Sequence, residues 1–298
     1  MYPPGSTITT LPQLDLLIDW LYQYPDAPGY IPTLSFEMKH LYTLWARGQE
    51  LEHQGQFLAA IEVYKRALQI APAFINARFS WARALQALGK YSEALSQLQV
   101  ITAFYAPNDS SIYLQIASIQ RELGDSAAEI LSYEKALSIE PDNIYAWLNL
   151  GLARRLAKDL DASSLAFGEA IRCLDNLIQN GSPHQYDPEE DKVCFEAART
   201  EFARGAFDQA ALLFQRVMGV RGQSLELWGD PQHNPTVFYT MLFLARVYLR
   251  QGKWSLAMEQ LEPCMAFAPD DPNVALLVGN ARNQGNDPLP MAWIWDEM

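Results

Sequence analysis

A period of 34 residues constrains this chain more than any other feature. The string GQFLAAIEVYKRALQIAP, from Gly55 to Pro72, couples a turn glycine to an amphipathic helical stretch and a terminating proline. Glycine marks the same kind of turn at Gly55, Gly89, Gly124, Gly205 and Gly252, and a helix placed ahead of each sets unit starts at 41, 75, 110, 191 and 238. Two further starts, 144 and 272, lack the glycine and come from continuing the spacing. The intervals are then 34, 35, 34, 47, 47 and 34, so two units carry the same 13-residue excess. A fixed period of this length signals stacked supersecondary units, each too small to bury its apolar face alone.

The eighth position of each unit, which did not set the phase, holds Gly48, Ala82, Ala117, Gly151, Ala198, Ala245 and Gly279. Two helices packed at about 8–10 Å leave no room for a large side chain where they cross. The facing position on the second helix is small in four units, at Ala60, Ala94, Ala210 and Ala257, but is Glu129 in the third and Ser163 in the fourth. Four residues later a large side chain recurs: Tyr64, Leu98, Tyr133, Phe167, Phe214 and Leu261. Pro72, Pro107, Pro141 and Pro269 end their helices, because proline lacks the donor and clashes with the preceding turn.

With Trp147, Leu150 and Gly151 on a first helix and Ala60, Tyr64, Ala67 and Pro72 on a second, the chain resembles the tetratricopeptide repeat over about residues 41–283. The resemblance implies an all-α, right-handed superhelical solenoid of six to seven helical hairpins with capping segments at both ends. Residues 1–40 form an N-terminal segment, in which 11–23 read as an amphipathic capping helix. Four repeats occupy 41–177, then come a Gly/Pro/Asp-rich loop insert at 178–190, a fifth repeat at 191–224 and a second insert at 225–237. A sixth repeat and partial seventh or capping helix occupy 238–283, and an aromatic tail with Trp293 and Trp295 occupies 284–298, expected to fold back over the last repeat.

Charge narrows the function. Lys plus Arg number 22 against 35 Asp plus Glu, a net charge of −13 that opposes general adhesion to nucleic acid or anionic lipid. No apolar run is long enough to span a membrane and no basic n-region opens the chain, so a cytoplasmic location without membrane insertion is expected. Cys173, Cys194 and Cys264 lack paired spacing and read as buried thiols. Motifs for a nucleophile elbow, a zinc protease, a phosphate loop and an EF-hand are missing, and His40, His53, His184 and His233 are too dispersed to form a ligand set. No catalytic residue, metal or cofactor is expected, and no enzyme.

The resemblance further implies that the first helices line a concave groove, with repeat positions 2, 5, 9 and 12 facing inward on one helix face. Positions 9 and 12 of the second to sixth units hold one arginine each: Arg83, Arg121, Arg155, Arg199 and Arg246. Asn76, Tyr145, Asn149, Lys192, Phe195, Tyr239 and Leu242 complete the candidate partner-binding set. Such a lining suits an extended acidic protein segment, and a non-catalytic interaction scaffold or assembly adaptor is the expected function. A permanent subunit of a larger complex is the alternative, and RNA binding is disfavoured by the charge. The competing reading of the arginines is intramolecular pairing with acids such as Glu122 and Glu196. Of the carboxylate clamp that some relatives use for chaperone tails, Asn149 and Lys192 match, but Leu114, Ser118 and Glu196 do not. Oligomeric state is left open.

Overall fold

The architecture comes from a computed structural model, which describes residues 7–8, 33–34, 36–179, 188–222 and 235–287. Apart from a two-residue parallel pairing of β1 (Thr7–Ile8) with β2 (Thr33–Leu34), the described residues are helices and turns. The chain divides into two compact units, residues 1–139 and 140–298.

Unit 1 contains three helical hairpins: α1 (Phe36–His53) with α2 (Phe57–Ile70), α3 (Ile75–Ala87) with α4 (Tyr91–Phe104), and α5 (Ser110–Glu122) with α6 (Ser126–Ile139). Within the unit, each second helix also packs on the first helix of the next hairpin. Unit 2 repeats the plan with α7 (Ile144–Leu156) and α8 (Leu160–Gln179), α9 (Pro188–Arg204) and α10 (Phe207–Gly222), α11 (Pro235–Arg250) and α12 (Trp254–Phe267). A single helix, α13 (Pro272–Arg282), packs on α12.

Local chemistry fixes these boundaries. The five turn glycines have φ between 70° and 80°, a left-handed backbone that side chains resist. In the fourth unit, where the glycine is missing, Lys158 adopts the same conformation at φ 64°. Asp109, Asn143 and Asp271 cap α5, α7 and α13 by accepting bonds from backbone N–H groups of the first turn.

The packing positions behave as the period requires, with one refinement. All six large second-helix residues, from Tyr64 to Leu261, are buried. A Cβ added at Gly48 would stand 2.2 Å from the Tyr64 ring, and one at Gly151 would stand 2.8 Å from Phe167. The glycine therefore makes room for the large residue of its own second helix as well as for close helix approach. Ser163 holds its place by donating its hydroxyl to the Gly151 carbonyl at 2.8 Å. Glu129 is tolerated at the small position because Arg121 neutralises it, Nε to Oε1, at 2.7 Å. Gly279 breaks the pattern: among the described residues a Cβ there would meet no atom within 4 Å, because no described second helix packs against α13.

Some boundaries differ from the sequence expectation. Helix α1 starts at Phe36, inside the expected N-terminal segment, and the ends of the expected 178–190 insert belong to α8 and α9. Helices α9, α11 and α13 each begin on a proline, a residue suited to the first helical position because its missing N–H would have no partner there anyway. Part of the excess in the long units is thus helical: α8 has 20 residues where α2 has 14. The expected capping helix at 11–23, the centres of both inserts and the tail beyond Asp287 lie outside the described residues.

Candidate functional site

The five arginines at repeat positions 9 and 12 of the first helices all meet acids of the chain itself. In unit 1, Arg83 reaches Glu52 of α1 at 3.2 Å while remaining half exposed. Arg121 folds onto α6, bonding Glu129 and the Tyr133 hydroxyl at 2.9 Å, with its guanidinium 5.8 Å from the Tyr133 ring centroid.

Unit 2 buries its three. Arg155 of α7 reaches α9, where Nη2 lies 2.5 Å from Glu196 Oε2 and Nη1 donates to the Glu196 carbonyl at 3.2 Å. Arg199 bonds the same carboxylate at 3.1 Å and lies 5.8 Å from the ring centroids of Phe195 and Phe243. Burial pulls the Arg199 guanidinium below its ordinary range, Glu196 opposes that shift, and the charge of Arg155 adds to it. Arg246 is wholly buried, 5.2 Å from the Phe202 ring centroid, and pairs with Asp287 at 3.0 Å. Its guanidinium is lowered by burial too, with Asp287 working against the shift.

The remaining candidates separate by exposure. Phe195 and Leu242 lie in the apolar core of unit 2, and Asn149 is buried with its amide donating to the Tyr145 carbonyl at 2.8 Å. Tyr145 and Lys192 are exposed, and Asn76 and Tyr239 are half-buried. The chaperone-tail clamp is not assembled: Glu196, standing where that motif needs arginine, is held by two arginines of unit 2.

Spacing alone did not single out a cleft in unit 1, between α1, α3 and α5. Glu52, Arg83, Gln86, Gln115 and Glu122 line it together with Phe57, Ala87 and Tyr91. Gln86 bonds Gln115 and approaches Ser118, and the Tyr91 hydroxyl donates to Glu122 at 3.4 Å. Burial raises the Glu52 carboxyl above the usual carboxylate range, and Arg83 and the Tyr64 hydroxyl only partly oppose this. Glu52 occupies position 12 of the first unit, so extending the position-12 reading to that unit would have found it.

Other chemistry is sparse. Among the described residues no group of three or more His, Cys, Asp or Glu is placed to hold a metal ion. No helix among them is long and apolar enough to cross a membrane. All three cysteines are buried thiols, none in a disulfide; burial raises the Cys173 thiol and pushes that of Cys264 up to about 12.

Residues 51–118 match a family model described as tetratricopeptide repeat, and residues 110–143 match a second of the same description. A protein of Arabidopsis thaliana named CTR9 homolog is 21% identical over 291 residues, covering 88% of this chain and 26% of the relative, so the chain spans about a quarter of that relative's length. Among solved structures, a tetratricopeptide repeat protein of Parabacteroides merdae is similar with a TM-score of 0.54 and 17% identity, over 86% of this chain and 97% of the other. MamA of Desulfovibrio magneticus is similar with a TM-score of 0.52 and 17% identity, over 62% and 96%. Likeness at these identities shows the fold and leaves function to the site.

Proposed function

We propose that this chain, a member of the tetratricopeptide-repeat family, is a non-catalytic protein-interaction scaffold that holds an extended, acidic partner segment on its first helices. The observation that carries the reading is the polar side chains that the first helices of each unit leave accessible. Arg83 and Gln115 flank the unit 1 cleft, and Tyr145 and Lys192 stand exposed in unit 2. Helical repeats expose such surfaces because each hairpin contacts only its neighbours, which leaves part of every hairpin unpacked. Tyr145 adds apolar contact, Lys192 adds positive charge, the half-exposed Arg83 offers guanidinium donors beyond its contact with Glu52, and the Gln86–Gln115 pair matches the donors and acceptors of an extended backbone. Buried thiols suit a reducing compartment, and a cytoplasmic setting belongs to this reading.

Capture of the partner from the native source, with a binding isotherm then measured over a salt series, tests it. Affinity should fall as salt rises, since exposed charges are screened. Binding independent of salt, through a segment without acids, would contradict it.

A second reading has its own support. Leu58, Leu131, Leu165 and Leu212 of the second helices are 64–71% exposed, which suits burial against a permanent neighbouring subunit. Sedimentation of the isolated chain separates the two: a stable monomer favours the scaffold, and aggregation relieved only by a co-expressed subunit favours the alternative.

A further inference from the structure

Two carboxylates in unit 2 are each held by two arginines, and they differ in what carries them. Glu196 projects from the middle of α9 and cannot leave without unfolding a helix. Asp287 stands five residues beyond the end of α13, in a segment whose residues 282, 283, 284 and 286 are exposed. Its own side chain is nevertheless 0% exposed. Arg246 approaches it through Nε at 3.1 and 3.2 Å and through Nη2 at 3.0 Å, and Arg250 through Nε at 3.1 Å. Besides this clasp, the Trp254 indole bonds the Gly285 carbonyl at 3.2 Å.

From this difference we infer that Arg246 and Arg250 form a carboxylate-binding seat on α11, occupied by the chain's own Asp287 and open to exchange with a carboxylate of an acidic partner segment. The inference rests on the proposed reading of the first helices as a binding face, and it identifies which of their arginine sites can be vacated. One carboxylate replaces another, so neither guanidinium is left buried without an acid, the state that makes breaking such pairs costly. Paired guanidinium donors match a carboxylate's two oxygens whichever chain supplies them. Arg250 is the accessible end of the seat: it is 26% exposed and lines a surface pocket with Asp208, Gln209 and Lys253. Until exchange occurs, Asp287 acts as an internal competitor and lowers the apparent affinity of the seat.

The test uses the full chain and a labelled hexaglutamate peptide as probe. Asp287→Ala should bind the probe about tenfold or more tightly than the parent, because the competing carboxylate is gone, and adding Arg250→Gln should remove that gain. Acetate should raise the melting temperature of Asp287→Ala and leave that of the parent unchanged. If Asp287→Ala does not fold, Asp287→Asn supplies the same comparison. Equal binding by parent and variant overturns the inference. If that shared binding is lost on Arg83→Glu or Lys192→Glu, the scaffold reading survives; if the probe binds no form at all, both fall.

Discussion

Gly48 and Gly151 each sit under the ring of their own hairpin's second helix, so the cost of a side chain there is steric rather than conformational. Gly151→Ala should destabilise the chain by about 1–3 kcal/mol, the usual penalty of overpacking. Gly279→Ala should instead be neutral or stabilising by up to about 1 kcal/mol, because no described atom stands near the added methyl and alanine favours a helix. Equilibrium urea unfolding measures both. The small eighth position was legible in the sequence because close packing admits few residue types. Its failure at Gly279 was not, since the need for a small residue there depends on whether a second helix packs against α13. The thiols give a second residue-scale prediction. Burial, with a smaller contribution from Asp271, raises Cys264 from an ordinary value near 9.0 to about 12. A raised folded-state value gives stability that is fully present below pH 9 and is lost as pH climbs toward 12. At pH 8 the native protein should show almost no reaction of Cys173, Cys194 or Cys264 with a thiol reagent, and all three should react on unfolding.

Between elements, the arginine–acid contacts act as ties. Arg155 joins α7 to α9 through Glu196, and Arg204 joins α9 to α8 through Asp161 at 2.7 Å. The first tie is buried and the second lies at the surface, so their contributions should differ. Glu196→Gln leaves Arg155 and Arg199 buried without their acid and should cost about 3–5 kcal/mol. Asp161→Asn should cost under about 1 kcal/mol, as exposed pairs do. Similar losses for both would show that the burial of the first pair is not maintained in solution. One arginine per unit was readable from the repeat, and so was Glu196 as an acid that pairs with two of them, but the partners of Arg121 and Arg246 were not. Glu129 lies on the opposite helix of the hairpin, and Asp287 lies beyond the last repeat, at separations that no period encodes. A lengthened second helix before the first insert was expected and α8 supplies it, but the early starts of α9 and α11 were missed for a related reason: turn glycines mark where a first helix ends, whereas Pro188 and Pro235 mark where it begins.

At the scale of the molecule, each unit builds its apolar core from successive hairpins and places most of its cations against its own acids. A net charge of −13 therefore coexists with first helices rich in arginine. The work is divided: outside the Arg246–Arg250 seat, buried arginines hold hairpins together, and accessible polar residues receive a partner. Two readouts on the same variants test it most directly, partner affinity by isothermal titration and unfolding free energy by urea. Arg83→Glu in unit 1 and Lys192→Glu in unit 2 should each weaken binding measurably; Lys192→Glu should change stability by less than about 0.5 kcal/mol, the range of ordinary surface substitutions, and Arg83→Glu by more, because it sets a second carboxylate beside the largely buried Glu52. Arg199→Glu should lower stability by several kcal/mol, because a second acid would be buried beside Glu196. If instead Arg199→Glu abolishes binding at unchanged stability while Arg83→Glu and Lys192→Glu bind normally, the buried arginines are the partner site and the division is wrong.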